Sequence, residues 1–427
     1  MRVLIVIDSF NREYLSMKLL EAALESRGAK VRICARQILA MTFNRYKPEV
    51  VVIPKTHKIT ELEIIHKSSV VVLAQAESFS GSEDAFLYFS KNIITKFVDI
   101  VNCWGDFDRK FYTENKLFSA DQIFVNGHPI TESWYLHSPQ TANTAKPVVG
   151  IAMSIRGLTH KANGRNPSPI ALVMSVEDAG DSGYFIPPYH AEDWISYEAA
   201  WIRIVYELIK QNTDIKFVLR PHPLEDPIHY QPFLKFDNVA INTGCHISEF
   251  LSSIDVLCSA FSTSMLDAYF RQIPVVSLKN LIPNRILECI HPSQTGIPHD
   301  KYFRSPDSIA ELRNQFHVSW SPIPELDLLG RNVYNYPDNQ RPSQRMADTI
   351  MQSAPPLLKT KSDFSPMFES RFERLCGPYR WSPSLRLLIL QLRDIVKNTS
   401  IVSMAYSSHN FLRNRRYASL ISRLKNF

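Results

Sequence analysis

The sequence predicts an α/β chain made of two doubly wound halves facing each other across a cleft. Three observations point there. The chain has 427 residues, more than one ordinary core accommodates. Short apolar runs recur along it with helical patterns between them, the mark of parallel strands covered on both faces. A polar segment, "HSPQTANTAKP" (137–147), divides these runs into two series. Hydrophobic content of 45% with 21% charged residues fits a globular chain rather than a disordered or fibrous one.

The first series is "VLIVID" (3–8), "KVRICA" (30–35), "VVVIP" (50–54), "VVVLAQ" (70–75), "DIVNCW" (99–104) and "QIFVNG" (122–127). Between its first two runs, "EYLSMKLLEAALESRG" repeats apolar residues at helical spacing and stops at Gly28, a helix-ending signal. The second series is "VVGIAMS" (148–154), "IKFVLR" (215–220), "VAINT" (239–243), "VLCSA" (256–260) and "VVSL" (275–278), with a helix expected around 196–211. The segmentation is therefore a first domain over 1–137, a linker over 138–147, a second domain over 148–350 and a basic helical appendage over 351–427.

No apolar run reaches the roughly 18–20 residues of a membrane span. The opening "MRVLIVIDSF" reads as a strand ended by Asp8 rather than a secretory signal. The six cysteines are scattered without a C-x-x-C pair, which argues against a zinc site. Cys34, Cys103 and Cys258 lie in strand-like contexts and read as buried thiols, so a cytoplasmic chain is expected. The net charge of +6 is unevenly spread. "FLRNRRYASLISRLKNF" (411–427) sets five cations beside an apolar stripe, which suits either an anionic membrane surface or a terminal helix packed on its own protein. Without interleaved aromatic platforms, this basic cluster does not read as a nucleic-acid site.

The chemistry concentrates in the second series. "KFVLRPHPLEDP" (216–227) ends a strand on Arg220 and on His222, held between two prolines that fix the turn. Glu249 opens a predicted helix in "CHISEFLSSIDV". In "SAFSTSMLDAYF" (259–270), Ser262, Thr263 and Ser264 begin a helix directly after a strand. Separately these are a stiff turn, a first-turn acid and a helix cap. Together, on successive strand ends, they can hold a nucleotide: hydroxyls, N–H groups and imidazole for phosphate, a carboxylate for the ribose. Arg220 suits a leaving phosphate or a sugar carboxylate, or else braces the loop through Glu225 or Asp226. The loop 154–167, with Arg156, Lys161 and Arg165, is either a cover for an anionic ligand or a solvated basic loop.

The order "RPHP", Glu249, "STS" and "DAYFRQIPVVSL" resembles bacterial surface-carbohydrate and capsule glycosyltransferases of the GT-B type, with two Rossmann-like domains. Kdo transferases, bacterial sialyltransferases and CDP-glycerol glycerophosphotransferases are the relatives it looks like. In the first half "NREYLSMKLLEAALESRGAKVRIC" (11–34), "VVVLAQAESFSG" (70–81), "WGDFDRKFY" (104–112) and "ADQIFVNGHP" (120–129) carry the same resemblance, and the resemblance covers about 1–350 in all. It implies that His222 with Ser262 and Thr263 contacts the phosphate of a CMP-sugar, that Glu249 holds the nucleoside, and that Glu77 is the base. Ser78 stands where those relatives carry glycine.

Glycosyl transfer needs a base for the acceptor hydroxyl and charge stabilisation for the leaving phosphate. Glu77 is the first choice of base and Asp8, at the end of the first strand, the second. "DFD" (106–108) has the Asp-x-Asp form of metal-dependent transferases, but it lies in the first half and reads as a turn with solvated acids, so no metal and no cofactor are expected. The expected partners are a nucleotide-sugar donor, a glycan or glycolipid acceptor and, through 411–427, the inner face of the cell membrane. Competing readings are a CDP-alditol phosphotransferase, a UDP-sugar 2-epimerase-like enzyme, and a non-catalytic membrane-surface assembly subunit.

Overall fold

A computed structural model describes residues 1–8, 10–55, 61–74, 95–135, 146–153, 190–222, 225–243, 246–260, 262–289, 302–337, 339–358 and 364–367. The first half is a six-stranded sheet of β1 (Arg2–Ile7), β2 (Lys30–Ala35), β3 (Val50–Ile53), β4 (Val70–Leu73), β5 (Ile100–Cys103) and β6 (Ile123–Val125). Its order is β2-β1-β3-β4-β5-β6, and every pairing is parallel. Alternation along β1 serves both faces: Val3, Ile5 and Ile7 enter one core cluster, Leu4 and Val6 another. Helices α1 (Phe10–Glu25), α2 (Leu39–Tyr46), α3 (Leu62–Ser68) and α4 (Asp106–Glu114) accompany this sheet. Gly28, the expected stop after α1, has φ +85°, a turn conformation that glycine adopts without a Cβ clash.

The second half is a five-stranded parallel sheet of β7 (Val148–Ala152), β8 (Lys216–Arg220), β9 (Val239–Ile241), β10 (Val256–Ser259) and β11 (Val275–Ser277), in the order β11-β10-β7-β8-β9. The helices after β6 are α5 (His190–Gln211), α6 (Ile247–Leu251), α7 (Ser264–Phe270), α8 (Asn284–Cys289), α9 (Ile309–Gln315), α10 (Pro324–Tyr334) and α11 (Pro342–Ser353). Trp201, Val205 and Ile209 of α5 bury against Phe217 and Leu219 of β8. Gly150 of β7 lets the α6–β10 segment come close: a Cβ there would lie 2.4 Å from Ile254 Cδ1. Both halves are thus doubly wound parallel sheets, as the alternating pattern predicts.

The halves are joined by packing as well as by chain. One apolar cluster runs from Leu4 and Val6 through Trp104 and Trp134 to Leu257, Leu266 and Phe270. Helix α11 begins within 148–350 of the expected segmentation yet returns to the first sheet, where Met346, Ala347 and Ile350 share a core with Val3 and Ile5. Beyond it, Phe364 stacks on Phe43 at 5.2 Å. The side-chain amide of Asn44 donates to Met367 O at 2.8 Å and accepts the Met367 N–H at 2.7 Å. Most of the expected linker and nearly all of the appendage, including 411–427, lie outside the described residues. Among the described residues no helix is long and apolar enough to cross a membrane. Cys34, Cys103 and Cys258 are buried free thiols, and burial pushes the Cys103 and Cys258 groups well up from the ordinary thiol range.

Candidate functional site

In open α/β sheets, ligands bind beyond the carboxyl ends of the strands, where the winding reverses. In the second sheet the chain winds from β7 through β8 to β9, then crosses back to β10 on the other side of β7. His222 follows β8 and Ser262 follows β10, so two strand spacings, about 10 Å, separate their strands.

Arg220 is the last residue of β8 and is 8% exposed. Its Nη1 donates to Asn242 Oδ1 at 3.1 Å, and its guanidinium sits 5.7 Å from the ring centre of Phe250 in α6. His222 is half-buried. Its N–H donates to Glu225 Oε2 at 2.8 Å, and the Glu225 N–H returns a bond to the His222 carbonyl at 2.8 Å. The Tyr230 hydroxyl donates to the same Oε2 at 2.5 Å. Glu225, 1% exposed, is therefore the brace of the turn that carries His222, while Asp226 accepts the Ile228 N–H at 3.1 Å. Pro223 and Leu224 lie outside the described residues.

Glu249 lies in the first turn of α6 and is exposed. The helix is capped by His246, whose Nδ1 accepts the Ser248 N–H at 3.1 Å. Past β10, Ser262 and Thr263 are half-buried and Ser264 is buried. The Ser262 and Ser264 hydroxyls lie 2.7 Å apart, and Ser262 Oγ accepts the Ser264 N–H at 3.3 Å. These two serines thus cap the chain locally and sit beyond the same sheet edge as His222 and Arg220; both readings of "STS" are compatible with that geometry.

Sequence reasoning did not single out Asp267. It lies in the first turn of α7, and its Oδ1 accepts a hydrogen bond from Trp134 Nε1 at 2.8 Å. Burial pushes its carboxyl up to about 6, while the Trp134 bond and the Arg271 and Arg220 guanidiniums act in the opposite direction. Nothing local in "STSMLDAYF" distinguishes it from a solvated helix acid, because its partner lies 133 residues away.

In the first sheet the winding reverses between β1 and β3. Asp8, directly after β1, meets Lys55 Nζ at 3.2 Å and Arg36 Nη1 at 3.8 Å. The Asp8 N–H donates to Glu13 Oε2 at 2.7 Å. Glu77 and the loop 154–167 lie outside the described residues. The reading of 106–108 as a turn with two solvated acids needs correction. Asp106 is exposed beside Arg109 at 2.7 Å, but Asp108 is buried and accepts the N–H groups of Trp104 at 2.6 Å and Gly105 at 2.9 Å. It serves the start of α4, where the N–H groups have no partner within the helix. Burial pushes its carboxyl up to about 7.

Among the described residues no group of three or more His, Cys, Asp or Glu is arranged to hold a metal ion. A cavity of about 410 Å³ lies elsewhere, lined by Asp99, Ser119, Asp121, Gln122 and the returning residues Ser353 and Leu357. Asp99, Ser119, Asp121 and Gln122 precede β5 and β6, so it opens at the amino edge of the first sheet, opposite the strand ends considered above.

The chain is thus a two-sheet α/β protein with polar and charged groups gathered at a strand-end winding reversal. No protein-family model matches it, and no curated protein does. Solved structures to which it is similar include an S. aureus MnaA–UDP co-structure at 11% identity, covering 87% of this chain and 93% of that chain with a TM-score of 0.43. The UDP-GlcNAc 2-epimerase from Methanocaldococcus jannaschii is 10% identical, covering 82% of this chain and 99% of that chain with a TM-score of 0.47. The wall teichoic acid polymerase TagF is 12% identical, covering 82% of this chain and 88% of that chain with a TM-score of 0.44. At such identities the chemistry of the site has to be read from the chain's own residues.

Proposed function

We propose that the chain is a GT-B-type glycosyltransferase that moves a sugar from a nucleotide-activated donor, a CMP-activated acidic sugar such as Kdo or sialic acid, onto a surface polysaccharide or glycolipid. The observation that carries this reading is the placement of Arg220 and His222 at the end of β8 and of Ser262–Ser264 at the end of β10, on either side of the central strand β7. That spacing suits an anion held between the two strand ends. In this reading His222, Ser262, Thr263 and Ser264 donate to the donor phosphate, and Arg220 meets the phosphate or the sugar carboxylate. The exposed Glu249 receives the ribose hydroxyls.

Transfer proceeds by attack of an acceptor hydroxyl oxygen on the anomeric carbon. The new C–O bond forms as the bond to the phosphate oxygen breaks, and that oxygen leaves with the electron pair. The acceptor proton passes to a carboxylate of the first half, for which Glu77 is the assigned base. Asp8 is the weaker choice, since its carboxylate already faces Lys55 and Arg36. The departing charge is met by imidazole, guanidinium and hydroxyl donors without a metal. The same reading places the enzyme in the cytoplasm, with 411–427 against the inner face of the membrane.

The test is calorimetric titration of the full chain with CMP, CDP, UDP and GDP. Selective binding of CMP or CDP, lost in His222→Ala and Glu249→Ala, is expected. Indifference to all four nucleotides overturns the reading. Phosphodiester product from CDP-glycerol would reassign the enzyme as an alditol phosphotransferase, and turnover of UDP-N-acetylglucosamine without acceptor would make it an epimerase. Vesicle binding with no nucleotide binding would make it an assembly subunit.

A further inference from the structure

The 3-10 segment Pro129–Tyr135 passes from one half to the other within seven residues. Its beginning belongs to the first half: just before it the His128 ring stacks on Trp104 at 3.9 Å, and within it Glu132 is held by Ser343 of α11. Its end belongs to the second half. Trp134, 5% exposed, stacks on Phe270 at 4.3 Å with 24° between the planes and gives its indole N–H to Asp267. Asp267 and Phe270 are three residues apart on α7 and share a face, so a single side chain grips the helix by a hydrogen bond and a stack. Tyr334 and Tyr336 close the indole in edge-on, at 5.4 and 5.1 Å.

We infer that Asp267 is a positioning residue: through Trp134 it fixes α7, and with it the Ser262–Ser264 hydroxyls at the helix start, relative to the first half of the molecule. The inference rests on the donor-site reading for its functional consequence, but its structural content does not. Three features support it. An indole-to-carboxylate bond is charge-assisted and directional, which a purely apolar contact is not. The carboxylate is costly to bury, as its raised pKa shows, so an apolar residue would fill the site at lower cost if filling were its only role. Asp267 lies in the first turn of the helix that begins at Ser264, which places the grip beside the hydroxyls it would align.

Two variants separate the hydrogen bond from bulk and from charge. Trp134→Phe keeps an aromatic ring on Phe270 and removes the indole N–H. Asp267→Asn keeps an oxygen acceptor and removes the charge. Amide hydrogen exchange on the ligand-free full chain reads the positioning directly. In Trp134→Phe, exchange at 265–268 is expected to accelerate about tenfold, the effect of losing roughly 1.4 kcal/mol of local stability, while β8 is unchanged. Asp267→Asn is expected to retain most of the protection. Unchanged exchange in Trp134→Phe, or acceleration spread evenly over the molecule, overturns the proposal. An equal loss in Asp267→Asn supports it, with the grip then resting on the charged form of the bond. CMP and CDP titrations of the same proteins supply the functional arm, with Trp134→Phe expected to bind about tenfold more weakly. If the wild-type chain binds neither nucleotide, the donor-site reading fails while the exchange result still decides the positioning role.

Discussion

Ser343 gives both of its donors to one carboxylate: its N–H lies 2.9 Å from Glu132 Oε2 and its hydroxyl 2.8 Å from Oε1. Glu132 is 1% exposed and Ser343 6%, so neither partner can turn to water if the other is removed. The pair ties the crossover segment to α11, the helix that returns to the first sheet. Ser343→Ala removes one donor and leaves a buried oxygen unmatched, for which a loss of about 1–3 kcal/mol is expected in urea unfolding. A change within about 0.5 kcal/mol, the range of ordinary surface substitutions, would show that the tie is not needed for stability.

A second prediction concerns backbone contact. A Cβ on Gly105 would lie 2.4 Å from Asn332 O and 2.8 Å from the Val333 carbonyl carbon, both main-chain atoms of α10. Backbone cannot rotate away as a side chain can, so Gly105→Ala must push the start of α4 from the end of α10. The expected cost is about 1–3 kcal/mol. Wild-type stability in the variant would mean that the two helices slide apart without loss.

Asp108 supplies a pH test. Its ordinary value is 3.8 and burial raises it to about 7 in the fold. Between those values the folded chain holds a proton that the unfolded chain releases, so stability must fall as pH rises through the window and level off above it. The slope approaches about 1.4 kcal/mol per pH unit for one group. Asp267 adds to it, but only up to about 6. Urea midpoints of wild type and Asp108→Asn are therefore compared most cleanly between pH 6 and 7. The variant has a lower plateau, since it loses one of two acceptor oxygens, and a flatter slope. Parallel slopes in the two proteins would contradict the assignment.

The strands were legible because parallel strands covered on both faces are continuous β-branched runs, as at Val50–Val52 and Val70–Val72. Arg220 and His222 were legible because a strand runs straight into them. Helix α11 shows the limit. Met346, Ala347 and Ile350 have helical spacing, but spacing says that a face is apolar and not which sheet it covers. Asp267 was hidden for a similar reason. It looks like a solvated acid until a distant aromatic, Trp134, encloses it.

Glu225 carries the last prediction. The Tyr230 hydroxyl and the His222 N–H converge on one oxygen of this buried carboxylate, so tyrosine and turn share a single anchor. Tyr230→Phe keeps the ring among the residues packed on β8 and deletes only the hydroxyl. The fold is expected to lose about 1–3 kcal/mol, since the carboxylate gives up a charge-assisted bond inside the protein. The turn remains, held by the His222 N–H to Glu225 and the Glu225 N–H to the His222 carbonyl, with its imidazole less firmly aimed. CMP or CDP binding should then weaken, by less than in His222→Ala, which removes the ring itself. Raising the nucleotide concentration should restore occupancy in Tyr230→Phe. An affinity equal to wild type in a measurably destabilised Tyr230→Phe would show that the anchor supports the core and that the direction of His222 does not depend on it.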